Sequence, residues 1–400
     1  MTLARLAIKY RAYKFLTASY FGFGVMFPFF EGGGFSKGDL FVFEAALIAI
    51  KTLVDLPSGH LADRQERRWL LCLGCFATAA AFLGIAARPD WIAMLGLFAL
   101  RGFGLSFMVG PDSAMVYDHL QANDAAAEYP RIEADAIAAS LYGFAIAPVL
   151  GSLAYSHIGP HAPFLMTAAA MVAAAVLASR FPERGAVASP LTSVRALHDF
   201  ILAVRQGRFQ YLAIAFAATA AFSRMGYWLL PLWLLEGDLD IVQVALILSL
   251  IVLLSGLVAR GTSRYAVTPR PALYVGGIGC LAASFSLGWA ATIARANWAP
   301  FALGFAALLF IVINGAYAPL YTRWINQYSD ATWRSKAHAL TGAFTGCSYA
   351  CSSLAVGFML NRFGALASMT GLLTLMAACC LVLAQAPASY QLRRVDGGTA

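Results

Sequence analysis

Long apolar runs recur along this chain and constrain its fold more than any other feature. A helix needs about 20 apolar residues to cross the hydrocarbon core of a bilayer. Only 12% of the residues are charged, whereas soluble proteins carry about 25%. The sequence therefore predicts an all-α integral membrane protein with twelve transmembrane helices, near residues 13–30, 40–62, 69–87, 91–117, 132–156, 163–181, 209–235, 241–260, 272–293, 299–321, 337–359 and 366–386.

The polar connections between these runs predict the domain organisation. The longest connection separates six runs from six, which predicts an N-terminal six-helix bundle at 1–181, a cytoplasmic linker at 182–208, and a C-terminal six-helix bundle with a short tail at 209–400. If the N-terminus is inside, 21 of the 28 Lys and Arg residues lie on the cytoplasmic side. Cytoplasmic loops are enriched in these residues. We therefore expect a multi-pass, monomeric protein of the plasma (inner) membrane with both termini in the cytoplasm.

Composition also excludes several classes of function. The formal charge of +8 is spread between apolar runs, whereas nucleic-acid binding needs a clustered basic face. The pair Cys72-x-x-Cys75 has metal-ligand spacing but lacks a second ligand pair, so we predict no metal. No soluble domain carries a catalytic constellation. We therefore expect no nucleic-acid partner, no cofactor and no enzyme activity, and keep a membrane-embedded enzyme only as a third alternative.

The connection after the second run carries a recognisable motif, Gly59-His60-Leu61-Ala62-Asp63-Arg64-Gln65-Glu66-Arg67-Arg68. It resembles the Gly-x-x-x-Asp-Arg-x-Gly-Arg-Arg signature of the major facilitator superfamily, with Glu66 in place of a glycine. The resemblance implies two pseudo-symmetric six-helix bundles that work by alternating access. It also implies a gate that stabilises the outward-open state, formed by Gly59, Asp63, Arg64, Arg67 and Arg68. Asp118 is the predicted partner of one arginine. The alternative is that the basic residues of this loop only set the orientation of the protein in the membrane.

The fifth run contains a second motif, Gly143-x-x-x-Ala147-Pro148-x-x-Gly151. It resembles a motif of drug:proton antiporters within that superfamily, with alanine replacing one glycine. Small residues and a proline predict a helix that bends and packs closely on its neighbour. The resemblance implies efflux in exchange for protons, and ordinary close helix packing is the alternative interpretation.

Charged residues inside the apolar runs predict the binding site. Lys51 and Arg101 lie about ten residues from the outer start of their runs, so a rise of about 1.5 Å per residue puts them near the midplane. Arg224 lies close to the middle of the seventh run. Lys and Arg match carboxylates and phosphates. We therefore predict that these cations meet in a chamber that binds an anionic or zwitterionic small molecule. Arginines paired with carboxylates are the structural alternative.

Acidic and polar residues inside the runs complete the predicted site. A carboxyl group in an apolar cavity can load and release a proton near neutral pH. Glu44 is the first candidate for proton coupling and Asp112 the second, while an outer gate salt bridge is the other interpretation of Glu44. Tyr20 and Asn314 are predicted to add polar contacts to the substrate.

These features together predict a secondary active transporter. The favoured activity is proton-coupled efflux of a small amphipathic or anionic organic molecule, in line with the resemblance to drug:proton antiporters. The alternative is proton-coupled symport, which would take up an organic anion with the same cations. The expected partners are the substrate, protons and the lipid bilayer.

Overall fold

The fold is that of a computed structural model, which describes residues 3–64, 66–182, 239–264 and 342–363 and short stretches between 224 and 320. Within these residues, the side chains of 56–64 and 263–264 are not described. All regular elements in the described part are helices. The chain forms two compact units, one of Met1–Leu191 with Asp238–Leu253 and one of Thr192–Gly237 with Leu254–Ala400. The predicted bundle and linker boundaries stay a prediction.

Helices of one turn or more account for most of the described residues. They include α1 (Leu3–Ala18), α2 (Met26–Glu31), α3 (Lys37–Arg64), α4 (Arg67–Ala86), α5 (Trp91–Met108), α6 (Pro111–Gln121), α7 (Tyr129–His157), α8 (Ala162–Ala178), α9 (Ile241–Arg264) and α10 (Gly342–Phe363). Short 3-10 helices precede α2 at Phe23–Val25 and α7 at Ala126–Glu128. Five helical segments of the described chain are long and apolar enough to cross a membrane, at Arg67–Ala86, Trp91–Gln121, Ala126–His157, Ile241–Thr262 and Gly342–Phe363.

The first predicted span is interrupted rather than continuous. It consists of α1, an irregular stretch with a 3-10 turn, and α2. Gly22 and Gly24 lie in this stretch, where glycine weakens helical structure because it loses more backbone entropy than other residues. The interruption leaves the N–H of Phe21 without a helical partner, and it donates to the Thr167 hydroxyl of α8 at 3.1 Å. The irregular segment is therefore held by the bundle.

The fourth predicted span is interrupted at the junction of α5 and α6. Gly110 has a φ of 105°, a conformation that glycine adopts without a steric cost. Pro111 follows as the first residue of α6, a position that suits proline because its missing N–H is not needed there. The Gly110 N–H donates to the Asp112 carboxylate at 3.1 Å. This junction therefore positions Asp112, which is 2% exposed.

The motif of the fifth span packs α7 against the first span. A Cβ added to Gly143 would lie 2.4 Å from the carbonyl oxygen of Phe15, and one added to Gly151 would lie 1.8 Å from that of Phe21. Ala147 and Pro148 are buried in the same helix. Only glycine leaves room for such close backbone contact. The small residues therefore seat the interrupted first span against α7.

Glycines also bring α5 close to its two neighbours. A Cβ at Gly102 would lie 2.1 Å from the carbonyl oxygen of Leu47 in α3, and one at Gly104 would lie 2.4 Å from the Thr78 hydroxyl of α4. Because α3 and α5 approach at Gly102, the neighbouring Arg101 lies beside α3. This close contact positions the charged pair described below.

Two apolar regions fill the first unit. One core lies among α1, α4, α6, α7 and α8 and includes Tyr10, Tyr13, Cys72 and Cys75. Both thiols are buried and hydrogen-bonded, Cys72 to the carbonyl of Ala175 and Cys75 to the Tyr13 hydroxyl. The other region is a set of aromatic rings in mutual contact, formed by Phe29, Phe30, Phe35, Phe43, Trp91, Phe98 and Phe164.

The first half of α9 belongs to the first unit and contacts α7. Ser249 is buried, and its hydroxyl lies in hydrogen-bond contact with the carbonyl oxygens of Ala145 at 2.5 Å and Ala245 at 2.8 Å. Pro148 lacks an N–H, which removes one intrahelical bond of α7 in the same turn as Ala145. The Ser249 hydroxyl therefore supplies a polar contact beside the proline of α7.

Replacing this serine should weaken the contact between α9 and α7. We expect Ser249→Ala to lower the free energy of unfolding by about 1 kcal/mol, because one buried hydrogen bond contributes about that much. Thermal unfolding of the purified protein in detergent measures the change. Ser284→Ala is the matched control, since the bond recorded for that hydroxyl in the described residues is a local one, to the Cys280 carbonyl four residues earlier. Equal losses in both variants would contradict a role for the contact with α7.

Candidate functional site

A buried ion pair joins α3 and α5 in the first unit. The Nη1 atom of Arg101 donates to Oε1 of Glu44 at 3.1 Å. The two side chains are 12% and 6% exposed. Moving a charge out of water is costly, and each charge here offsets the desolvation of the other. Both residues lie in apolar runs that the sequence predicts to span the membrane, and ionisable residues in such runs are candidate functional elements.

Aromatic rings surround the arginine of this pair. The Arg101 guanidinium carbon lies 4.6 Å from the ring centroid of Tyr20, 5.0 Å from that of Phe82 and 5.8 Å from that of Phe98. A cation near the face of a ring is attracted by the ring quadrupole. The Tyr20 hydroxyl donates to the sulfur of Met26 at 2.9 Å. Tyr20, a predicted substrate contact, therefore lies against Arg101 and is 7% exposed.

Lys51 forms a separate ion pair within α3. Its Nζ atom lies 2.6 Å from Oδ2 of Asp55, one turn further along the helix. Its backbone carbonyl accepts a hydrogen bond from the Ser106 hydroxyl of α5 at 3.0 Å. Lys51 and Arg101 thus lie on helices in contact, and each has its own carboxylate.

Asp112 is the centre of a second buried pair, with a partner that the sequence analysis did not assign. The Lys14 ammonium of α1 binds the Asp112 carboxylate, and these side chains are 20% and 3% exposed. One turn earlier in α1, the Tyr10 hydroxyl donates to Oε2 of Glu133 in α7 at 2.8 Å. Lys14 is one of four basic residues near the N-terminus, which the sequence analysis used only to predict the orientation in the membrane. No local sequence pattern distinguishes Lys14 from the other three.

Arg224 lies in the second unit and has a different environment. It is exposed, and its guanidinium carbon lies 5.2 Å from the ring centroid of Tyr349. An exposed arginine inside an apolar span is costly in lipid, so such residues usually face a water-filled cavity or another polar group. A chamber shared by Arg224, Lys51 and Arg101 stays a prediction. Asn314 lies outside the described residues.

The gate motif is described in part. Gly59, Asp63 and Arg64 lie in α3, and their side chains are not described. The Arg67 guanidinium binds the Asp118 carboxylate, which joins the start of α4 to α6. The Nε atom of Arg68 donates to Oε2 of Glu66 at 2.8 Å, and its guanidinium carbon lies 5.4 Å from the centroid of the Trp69 ring. The residue that replaces the family glycine therefore binds the motif's last arginine.

Among the residues described, no group of three or more His, Cys, Asp or Glu side chains is placed to hold a metal ion.

Residues 12–351 match the Major Facilitator Superfamily, and the chain belongs to this family. The predicted fold class is confirmed, because the described elements are helical and the family fold is a membrane-spanning helical bundle. The protein is therefore a multi-pass membrane transporter rather than an enzyme, as the sequence predicts. No curated protein sequence is similar to it.

Solved structures of other transporters share this fold. The chain is 14% identical to a POT family transporter in complex with a thioalcohol-conjugated peptide, with a TM-score of 0.78 over 98% of this chain and 97% of that one. It is 15% identical to the nucleoside transporter NupG, with a TM-score of 0.72 over 97% and 100%. The human organic anion transporter MFSD10 is 16% identical, with a TM-score of 0.63 over 96% and 100%. These similarities concern the fold.

Proposed function

We propose that this transporter exports a small amphipathic or anionic organic molecule in exchange for protons. It would work as a monomer in the plasma (inner) membrane, with both termini in the cytoplasm. The observation that supports this proposal most directly is the Glu44–Arg101 pair, in which a carboxylate of a predicted membrane span is shielded from water. Such carboxylates often carry protons in transporters.

Protonation of Glu44 would change the local charge by one unit. The neutral carboxyl group would no longer balance Arg101, while the rings of Tyr20 and Phe82 would still attract the guanidinium. Loading and release of one proton would thereby change the local electrostatics with Arg101 kept in place. The Asp112–Lys14 pair is the second proposed proton site, because its carboxylate is also buried.

The distribution of ion pairs supports Arg224 as the main contact for an anionic group of the substrate. Lys14, Lys51 and Arg101 all have a carboxylate partner in the first unit. Arg224 is exposed and lies against an aromatic ring. A guanidinium that is accessible in this way suits a carboxylate or phosphate of the substrate. Lys51 and Arg101 would then contribute to substrate binding through their ion pairs. Tyr20 and Asn314 are further proposed contacts of the substrate.

Transport in proteoliposomes tests the direction and the coupling. The full chain is reconstituted and supplied with carboxyfluorescein as an anionic probe and ethidium as an amphipathic cationic probe. Antiport predicts that an acidic lumen drives accumulation of a probe. Accumulation driven only by an acidic exterior would instead indicate symport, and accumulation that ignores the pH gradient would contradict proton coupling.

The ion pair between Arg67 of the gate motif and Asp118 gives a further prediction. We expect Asp118→Asn to change the free energy of unfolding by less than about 1 kcal/mol, since exposed ion pairs contribute little. The Asp118 side chain is 58% exposed. The rate of gradient-driven transport should nevertheless fall, because the proposed gate loses the partner of Arg67. Glu128→Gln is the control, since the ion pair of Glu128 recorded in the described residues is a long one, 4.0 Å to Arg131. An unchanged rate in Asp118→Asn would contradict the gate role.

A further inference from the structure

Three basic residues lie where α1 begins and α8 ends. Arg5 and Lys9 are four residues apart in α1 and therefore lie on one face. The Lys9 ammonium donates to the backbone carbonyl of Arg180 at 3.2 Å. Phe181 is buried and its ring contacts Tyr13 of α1 with centroids 5.7 Å apart. The packing of Phe181 and the Lys9 bond thus position the turn that carries Arg180 against α1.

This cluster carries uncompensated charge in the described part of the chain. Arg5 and Arg180 are exposed and Lys9 is half-buried. None of the three forms an ion pair with a described carboxylate, whereas the nearby Arg11 and Lys14 bind Asp135 and Asp112. Three positive charges on two chain segments that meet at one rim create a local site for an anion.

Apolar side chains are exposed on the same two helices. On α1, Ile8 is 60% exposed, and on α8, Val172 and Val176 are 40% and 44% exposed. Val172 and Val176 precede Arg180 by two turns and one turn of α8, so they lie on its face and are placed to contact acyl chains. Ile8 lies between Arg5 and Lys9, at the level of the charges. The basic rim therefore lies at the end of an apolar surface. A phospholipid with a negatively charged headgroup has the matching arrangement of one charged end and two apolar chains.

We infer that Arg5, Lys9 and Arg180 bind the headgroup of an anionic phospholipid, whose acyl chains lie along the exposed face of α8. The assignment to the cytoplasmic leaflet rests on the proposed orientation of the protein, while binding itself does not depend on transport direction or proton coupling. The headgroup would bridge α1 and the turn after α8 and stabilise their contact.

Lipid titration of the purified full chain in detergent tests this inference. Thermal unfolding is followed while phosphatidylglycerol or phosphatidylcholine is added. We expect phosphatidylglycerol to raise the melting temperature and phosphatidylcholine to have little effect, because binding to the folded state raises apparent stability. Glycerol phosphate, which lacks acyl chains, should give no increase. Equal effects of the two lipids, or an equal effect of glycerol phosphate, would overturn the lipid site.

Substitutions at the rim locate the binding. The double variant Arg5→Gln/Arg180→Gln keeps the Lys9 contact with the backbone carbonyl. Each cation near an anionic lipid contributes about fivefold in affinity, so the half-saturating concentration of phosphatidylglycerol should rise about 25-fold. Arg131→Gln is the control, since this exposed cation lies beside Glu128. An unchanged half-saturating concentration in the double variant would overturn the assignment, whatever the transport assays show.

Discussion

Glu44→Gln is expected to abolish transport driven by a pH gradient and to destabilise the protein. The substitution removes the proposed proton site and leaves Arg101, which is 12% exposed, without its carboxylate. Removing one partner of a buried pair costs about 3–5 kcal/mol, because the remaining charge stays desolvated. Proteoliposome transport and thermal unfolding measure the two effects separately.

A double variant separates coupling from stability. Replacing Arg101 by Met in the Glu44→Gln background removes the uncompensated charge, and Met also packs well against the rings of Phe82 and Phe98. We expect stability to return close to that of the unmodified protein while gradient-driven transport stays absent. Restored transport in this double variant, or normal coupling in Glu44→Gln alone, would exclude Glu44 as the proton carrier.

Gly151→Ala is expected to prevent normal folding of the first unit. The added Cβ would lie 1.8 Å from the carbonyl oxygen of Phe21 and 2.6 Å from its carbonyl carbon. Both are backbone atoms, and the segment is also held by the bond from the Phe21 N–H to Thr167. The steric clash can therefore be relieved only if α7 and the first span move apart. We expect a loss of about 3 kcal/mol or more, at the upper end of the range for overpacked cores.

The yield of monodisperse protein in size-exclusion chromatography and its melting temperature measure this effect. Gly96→Ala is the matched control, since a Cβ at Gly96 has nothing within 4 Å. This control should fold normally, because alanine is favoured over glycine within a helix. If Gly151→Ala folded as well as Gly96→Ala, the close contact between α7 and the interrupted first span would be wrong.

The charged residues show how far a helical pattern predicts a site. The spacing of Glu44, Lys51 and Asp55 places all three on one stripe of a helix. In the structure, Lys51 binds Asp55 within α3, whereas Glu44 binds Arg101 of another helix. A helical period determines which residues share a face. It does not determine partners on other helices, because these depend on how far each helix is shifted along its neighbour.

Two predicted spans are interrupted at glycine or proline residues that are visible in the sequence. The hydropathy pattern nevertheless predicted a continuous helix at both places. Gly110-Pro111 marks the junction of α5 and α6, and Gly22 and Gly24 mark the break in the first span. Each lies inside a long apolar run, and apolar composition alone predicts a continuous helix. Backbone groups freed by the breaks are bonded by side chains such as Thr167 and Asp112. Only the packed bundle shows that these bonds exist.

The sequence by itself determined the class of protein. Apolar runs long enough for the bilayer require helices, since lipid offers no hydrogen bonds to an open backbone, and the Gly59–Arg68 motif indicated the family. The tertiary structure decided which carboxylate balances each buried cation, and it placed Tyr20, Phe82 and Phe98 around Arg101. Hydropathy is a property of each segment and can be read along the chain. Charge pairing depends on distances between segments, which only packing determines.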